Sequence, residues 1–290
     1  MKKAFLQLHI AVLLAGLTGV LGRLITLNEG LLVWYRLLFT VIVLWLMWLF
    51  LPGTRGTSGG PLWKPYLAGG IVALHWVFFY GSIKYANVSI GLVCFSAVGF
   101  FTSVIDPLVM RRKFDTWELI LGVLVMSGIY LIFHFDTKFK TGILLGVVSS
   151  LLAALFTVIN KILLRQHSAR SLTLHELTGG WLILTLLLPA YLFAFPVEDL
   201  LPGWSDAGWL LVLSLFCTVL AFNLSLEALH KISPFTVNLS YNLEPVYGIL
   251  LAFVIYREDR ELDKGFYYGI AIIIFTVFLQ SWRVWKKKSY

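Results

Sequence analysis

Long apolar runs dominate this sequence and restrict it to few folds. A helix needs about 20 mostly apolar residues to cross a bilayer, and ten runs reach that length: 4–27, 31–51, 65–86, 88–110, 116–135, 141–164, 172–195, 207–230, 233–256 and 264–285. Charged residues make up 13% of the chain, against about 25% in soluble domains. The sequence therefore predicts an all-α integral membrane protein with ten transmembrane helices, in contact with the lipid bilayer and without a soluble domain.

The short connections between these runs carry many basic residues. If the N-terminus is cytoplasmic, Lys and Arg are concentrated on the cytoplasmic side, including the run Arg111-Arg112-Lys113. This bias predicts a multi-pass protein of the cell (inner) membrane with both termini in the cytoplasm. The formal net charge of +8 then faces anionic lipid rather than nucleic acid. The sequence leaves open whether the protein is a monomer or a homodimer.

Weakly similar segments recur in the two halves of the chain. Residues 21–25 match residues 159–163, and residues 111–115 match residues 257–261. The offset between matched segments changes only where a loop lengthens, as in a duplication. We therefore predict two repeats, 1–138 and 139–290, with five helices each. Because five is odd, the second repeat should enter the membrane upside down, which is typical of secondary transporters.

Several segments of both halves resemble one known family. They are Gly22-Arg23, Tyr35-Arg36, Ile83-Lys84-Tyr85-Ala86, Asn160-Lys161, Ser233-Pro234 and Leu243-Glu244-Pro245-Val246. On these residues the chain resembles the EamA family of the drug/metabolite transporter superfamily over nearly its whole length. It departs from the family pattern at Ala15-Gly16, where Trp-Gly is usual, and at Arg111-Arg112-Lys113, which replaces a Gly-Glu-Arg-like signature. The resemblance implies a central cavity between two inverted five-helix halves, and secondary movement of small metabolites.

The acidic residue Glu244 lies near the middle of the ninth apolar run. Hydrocarbon does not solvate charge, so an ionisable residue in this position is a functional-site hypothesis by default. Asn238, Tyr241 and Asn242 share a helical stripe close to Glu244, and such a polar face must contact protein or water. We predict that these four residues bind substrate or a proton. The alternative is a helix–helix contact in which a neutral Glu244 is hydrogen-bonded.

Four further residues are candidates for the cavity wall. Asn223 is the deepest polar residue of a stripe on the eighth run, and Asn160 lies in the sixth run. A buried Asn160 needs a partner, which either the cavity or a neighbouring helix can supply. Trp76 and Tyr80 share one face of the third run. They either enclose an organic substrate or form ordinary aromatic packing.

Three charged residues lie near the ends of the apolar runs. Asp106 lies about one turn before Arg111, so it is either a gate or proton group or the partner of the basic cluster. Arg36 and Glu176 occupy matching places on the second and seventh runs. Both can extend to the membrane interface, which predicts a structural role, with a gating role for Arg36 as the alternative.

Motifs for catalysis and for cofactors are missing from the sequence. It has no Gly-rich phosphate loop with Lys, no His-Glu-x-x-His pattern and no Gly-x-Ser-x-Gly elbow. We therefore predict no enzyme, no cofactor and no metal site. The predicted function is secondary transport by alternating access of a small-molecule metabolite, an amino acid or a related polar or aromatic compound, in the direction of export and with proton coupling. The alternative is an intramembrane enzyme or lipid-headgroup-handling protein that uses Asp106, Arg111 and Arg112.

Overall fold

The computed structural model describes residues 2–51, 55–135, 137–241 and 243–287, and this part of the chain is almost entirely helical. The helices are α1 (Lys2–Leu24), α2 (Glu29–Phe50), α3 (Trp63–Tyr85), α4 (Val88–Phe95), α5 (Val98–Met110), α6 (Thr116–Phe135), α7 (Lys140–Leu163), α8 (Ala169–Ala194), α9 (Trp204–Ser214), α10 (Ala221–Lys231), α11 (Pro234–Tyr241), α12 (Glu244–Tyr256) and α13 (Lys264–Lys287). A π-helix, Leu215–Leu220, joins α9 to α10.

Seven helical segments of the described chain are long and apolar enough to cross a membrane. They are Lys3–Leu24, Glu29–Phe50, Trp63–Tyr85, Val88–Met110, Lys140–Leu163, Ala169–Ala194 and Trp204–Lys231. Three shorter apolar helices are Thr116–Ile132, Glu244–Tyr256 and Lys264–Thr276. The protein is therefore a multi-pass membrane protein, and the total of ten spans stays a prediction.

The helix that carries Glu244 begins at that residue. α11 ends at Tyr241, and the chain re-enters a helix through the bond from Leu243 N to the carbonyl of Ser240, at 3.1 Å. Pro245 occupies the first turn of α12, where its missing N–H is not needed. The N-terminus of a helix favours negative charge. The local sequence therefore places a carboxylate at a helix start in the interior of the protein.

Close contact between α3 and α8 depends on glycines from both helices. A Cβ atom on Gly69 would lie 1.8 Å from the carbonyl oxygen of Glu176, and one on Gly180 would lie 2.6 Å from the carbonyl oxygen of Gly69. Small residues allow helix backbones to approach in this way inside a membrane. This contact holds the Glu176 part of α8 against α3.

Two arginines adopt the left-handed backbone conformation at helix ends. Arg111 caps α5 with φ 51° and ψ 44°, and Arg257 caps α12 with φ 57° and ψ 35°. Glycine is the usual residue in this position, because side chains disfavour positive φ. The two arginines begin the segments 111–115 and 257–261 that the sequence repeat matches.

Buried Glu258 ties three helices together at one end of the bundle. Its carboxylate accepts hydrogen bonds from Val88 N at 3.0 Å and from Ser89 N at 2.8 Å, at the start of α4. It also pairs with Arg23 at the end of α1. Arg23 lies over the ring of Tyr256, 4.5 Å from its centroid. We call this group the Glu258 cluster.

A partly exposed ion pair joins the start of α6 to the last turns of α13. Arg283 Nη2 donates to Asp115 Oδ2 at 2.6 Å. Burial opposes ionisation of Asp115, but the hydrogen bond and charge of Arg283 outweigh it and lower the pKa of this carboxyl. A carboxyl with a lowered pKa stabilises the fold above its ordinary pKa, and this contribution disappears as pH falls through the lowered value.

We expect Asp115→Asn to cost roughly 0.5–1 kcal/mol at neutral pH, the range for exposed ion pairs. The variant and the wild type should converge in stability as pH falls below about 4, where Asp protonates in the unfolded chain. Thermal unfolding in detergent across pH measures this difference. A gap that persists at low pH would assign the effect to the N-terminal cap of α6 instead of to the charge.

Candidate functional site

A cavity of about 100 Å³ lies in the interior between α1, α2, α3, α4, α7, α10, α11 and α12. We call it the central cavity. Five aromatic side chains form one part of its wall: Trp76, Phe79, Phe95, Phe156 and Phe222. The polar part of the wall includes Thr18, Arg36, Thr157, Asn160, Ser225, Asn238, Tyr241 and Glu244. The lining thus combines a large apolar surface with a few polar groups, as small-molecule sites do.

Glu244 reaches the central cavity from the first turn of α12. Its side chain is buried, with 4% exposed, and it lies beside Tyr241 in the wall. Within the described ranges, no hydrogen bond or ion pair engages its carboxyl group. Such a group is available to bind a cation or a proton that enters the cavity.

Arg36 contributes a positive charge to the same wall, and three hydrogen bonds hold its guanidinium group in place. Its Nε donates to Thr218 Oγ1 at 2.8 Å, its Nη1 to Tyr80 Oη at 2.8 Å, and its Nη2 to the Cys217 carbonyl at 3.2 Å. The guanidinium also lies over Trp76, 3.9 Å from the ring centroid. Only 2% of Arg36 is exposed. The interpretation that Arg36 extends to the interface is therefore wrong, because its acceptors lie deep between α2, α3 and the π-helix.

Arg36 and Glu244 line one cavity without forming an ion pair in the described structure. Arginine stays protonated in proteins, and its guanidinium offers five N–H donors in a planar fork. Protein acceptors occupy three of them, and the other two have no protein acceptor in the described structure. The central cavity is therefore lined by the Arg36 cation and by the Glu244 carboxyl group, which has no ion-pair partner in the described structure.

Glu176 is also buried, although the sequence favoured an interfacial position. Its side chain is 0% exposed, and its Oε2 accepts a hydrogen bond from Asn160 Nδ2 at 3.0 Å. The interfacial interpretation is wrong because this part of α8 packs closely against α3 and the side chain bonds to Asn160 on α7. Gly179-Gly180, three and four residues after Glu176 in the sequence, is the signal that could have revealed this burial, since small residues mark tight helix contacts.

Asn238 connects three helices at the border of the central cavity. Its Nδ2 donates to Thr102 Oγ1 on α5 at 2.8 Å, and its Oδ1 accepts from Thr157 Oγ1 on α7 at 3.1 Å. Asn160 and Trp76 also line the cavity. Thr18, Thr157 and Ser225 were missed, because isolated hydroxyl residues in apolar helices usually bond their own backbone.

Two residues predicted to form the cavity wall are placed elsewhere. Tyr80 is fully buried behind Arg36 and supports the guanidinium through its hydroxyl group. Asn223 points to a second cavity, between α2, α8 and α10, because Phe222, Ser225 and Leu226 occupy the inner face of α10. The predicted site residue Asn242 lies outside the described residues.

Asp106 belongs to an ion pair at the end of α5. Arg112 Nη2 donates to Asp106 Oδ2 at 2.6 Å, and Asp106 is buried. This geometry agrees with the interpretation that Asp106 partners the basic cluster. Asp106 does not line the central cavity in the described structure.

Comparisons with known proteins agree with this architecture. The chain is 24% identical over 302 residues to the uncharacterized transporter YetK of Bacillus subtilis (strain 168), covering 99% of this chain and 88% of that protein. One crystal structure superposes with a TM-score of 0.68 at 17% identity, over 95% of this chain and 96% of the other, which shows a shared fold. The profile of the EamA-like transporter family matches residues 2–134 and again residues 140–282. With two matches that together span nearly the whole of a multi-pass membrane protein, the chain belongs to the EamA-like transporter family.

Proposed function

We propose that this membrane transporter moves a small zwitterion, an amino acid or a close aromatic relative, by alternating access. One observation carries the proposal: Arg36 and Glu244 line the same buried cavity and are not paired with each other. The free N–H groups of Arg36 would bind the substrate carboxylate, and Glu244 would bind the ammonium group. Trp76, Phe156 and Phe222 would contact an apolar side chain.

The small volume of the central cavity supports a transport mechanism in which the protein changes its conformation. Its volume of about 100 Å³ is smaller than the roughly 300–1,000 Å³ of typical ligand sites, so the helices must separate to admit a substrate. In our proposal ten helices form two inverted halves, with both termini in the cytoplasm of the cell. The Glu258 cluster then closes the outer end and must open to release the substrate outward.

In this proposal a proton and the substrate compete for Glu244, and this competition couples proton movement to substrate movement. The carboxyl group can hold either a proton or the substrate ammonium group, but not both. A proton that enters from outside would be displaced when the substrate binds from the cytoplasm. This exclusion converts an inward proton gradient into substrate export.

The proposal is tested by ligand-induced stabilisation of the purified protein. Phenylalanine, phenethylamine and 3-phenylpropionate share one aromatic ring but carry both charges, the positive charge alone and the negative charge alone. Because a ligand raises apparent stability as its concentration exceeds its dissociation constant, phenylalanine should raise the Tm and the other two should not. Equal shifts for phenylalanine and phenethylamine, or no shift with any of the twenty amino acids, would contradict zwitterion binding.

Replacement of Arg36 separates the contribution of the cation to binding from that of Glu244. In Arg36→Met, the carboxylate contact is lost while Glu244 remains, so affinity for phenylalanine should fall about ten- to a hundredfold. This range corresponds to roughly 1.5–3 kcal/mol for hydrogen bonds to charged groups. Phenethylamine, which needs no cation, should now bind at least as well as phenylalanine. The matched control is Arg283→Met, which removes a cation remote from the cavity and should leave the preference unchanged.

A further inference from the structure

Buried polar atoms without a protein partner are concentrated around one part of α8. In the described chain ten such side-chain atoms occur, and five of them are Asn160 Oδ1, Thr173 Oγ1, His175 Nδ1, Glu176 Oε1 and Asn223 Oδ1. Buried polar groups are normally hydrogen-bonded, and each exception needs a physical explanation. Ordered water inside proteins bonds to such groups. The concentration of unpaired atoms therefore marks a path that water can occupy.

This path lies between two cavities. The central cavity is lined by Asn160, and a second cavity of about 370 Å³ is lined by Thr173, His175 and Asn223. Glu176 links the two sets of residues: one of its oxygens accepts a hydrogen bond from Asn160, and it follows Thr173 and His175 on α8. Its other oxygen has no partner among the described residues. Thr173 precedes Glu176 by one helical turn, so their side chains lie on the same face of α8 at a distance that water can bridge.

We infer that Glu176 is a proton-carrying group that connects the central cavity to the second cavity through Asn160 and Thr173. The inference rests on the proposed function, because it gives the proton displaced from Glu244 a route separate from that of the substrate. In each step one O–H bond breaks on the donor and one forms on the acceptor, with water between them. No other bond changes.

The surroundings of Glu176 suit a group that gains and loses a proton. Titratable and charged residues on the helices packed around it include Arg36 on α2, Tyr66 and His75 on α3, Lys161 on α7, and Glu227 and His230 on α10. None of them forms an ion pair with Glu176 in the described structure. Lys161 donates to the carbonyls of Leu229 and Ile232, and His75 is bonded to Ser149.

The neighbours on α8 itself complete this environment. Arg170 and His175 both line the second cavity, and the His175 ring contacts Tyr66 and Trp45. A buried carboxylate without a cation is costly, whereas a protonated carboxyl group is tolerated. Glu176 can therefore store a proton in the conformation seen here and release it to water in the second cavity.

Infrared spectroscopy of the full-length protein in liposomes tests this role without any substrate. A carboxyl C=O band that is absent from Glu176→Gln identifies the group. On transfer to D₂O this band should shift within seconds, because water reaches the proton. In the double variant Thr173→Val, Asn160→Leu, which keeps Glu176, the exchange should slow at least tenfold.

Two controls keep the outcomes distinct. Glu244→Gln should leave the Glu176 band and its exchange rate unchanged, so a failure of zwitterion binding does not affect this test. If Glu176→Gln does not fold, Glu176→Asp, which shifts the frequency of the same carboxyl band, identifies the group instead. A wild-type band that resists exchange for hours, or an exchange rate that the double variant does not change, would overturn the inference.

Discussion

Replacement of Glu244 by glutamine should abolish proton-coupled exchange while the protein folds normally. Glutamine has nearly the same shape as glutamic acid and cannot carry the negative charge that binds an ammonium group. Hydrogen bonds to charged groups contribute roughly 1.5–3 kcal/mol, so phenylalanine affinity should fall about ten- to a hundredfold. Counterflow of labelled phenylalanine in proteoliposomes, measured together with the Tm, separates lost transport from lost stability.

The pH dependence provides a sharper test of the same variant. In the wild type, substrate binding should weaken as pH falls, because protons compete with the ammonium group for Glu244. In Glu244→Gln this slope should disappear. The matched control is Asp115→Asn, which removes an acid paired with Arg283 away from the central cavity and should retain the slope. Transport by Glu244→Gln at the wild-type rate across the pH range would remove this residue from the mechanism.

Replacement of Gly69 by alanine should have the largest effect on folding. The new Cβ atom would lie 1.8 Å from the carbonyl oxygen of Glu176 and cannot be relieved by a side-chain rotation, because the contact is backbone. α3 and α8 must separate, and the packing around Asn160 and Glu176 must change with them. Overpacking of this kind costs typically 1–3 kcal/mol and occasionally more, and we expect a loss of about 3 kcal/mol.

The expected result is a lower Tm and a larger aggregated fraction in size-exclusion chromatography. Gly208→Ala is the matched control, because a Cβ atom there meets nothing within 4 Å and Gly208 lies inside α9. Alanine in a helix is more stable than glycine by roughly 0.5–1 kcal/mol, so this variant should match or exceed the wild type. A Gly69→Ala protein as stable as the wild type would show that α3 and α8 are not held at the distance described.

The membrane fold could be predicted because it depends on the length and hydropathy of each apolar run. Each apolar run is long enough to satisfy its own backbone as a helix, and neither distant contacts nor cofactors are needed. Glu244 could be selected as a site candidate on the same basis, because an acid inside such a run has few structural explanations, and its role in transport stays a prediction. The division of the chain after residue 138 stays a prediction.

The orientation of the other polar residues depends on contacts that the sequence does not show. The acceptors of Arg36 are Tyr80, Cys217 and Thr218, which are remote from it in sequence. Asn223 was misplaced because which face of α10 meets the central cavity is decided by how the helices pack. The π-helix that precedes α10 also departs from the 3.6-residue period on which helical stripes depend. Tyr80 was misplaced because an aromatic face alone does not distinguish contact with a ligand from contact with a neighbouring arginine.

The left-handed conformations of Arg111 and Arg257 bear on how the two repeats diverged. Both residues keep φ near 50–60°, although the residues that follow them are basic in one case and acidic in the other. A single ancestral unit with this helix ending, copied once and fused to itself, accounts for both. The two halves thus share this helix ending, including its arginine, although the side chains that follow carry opposite charges.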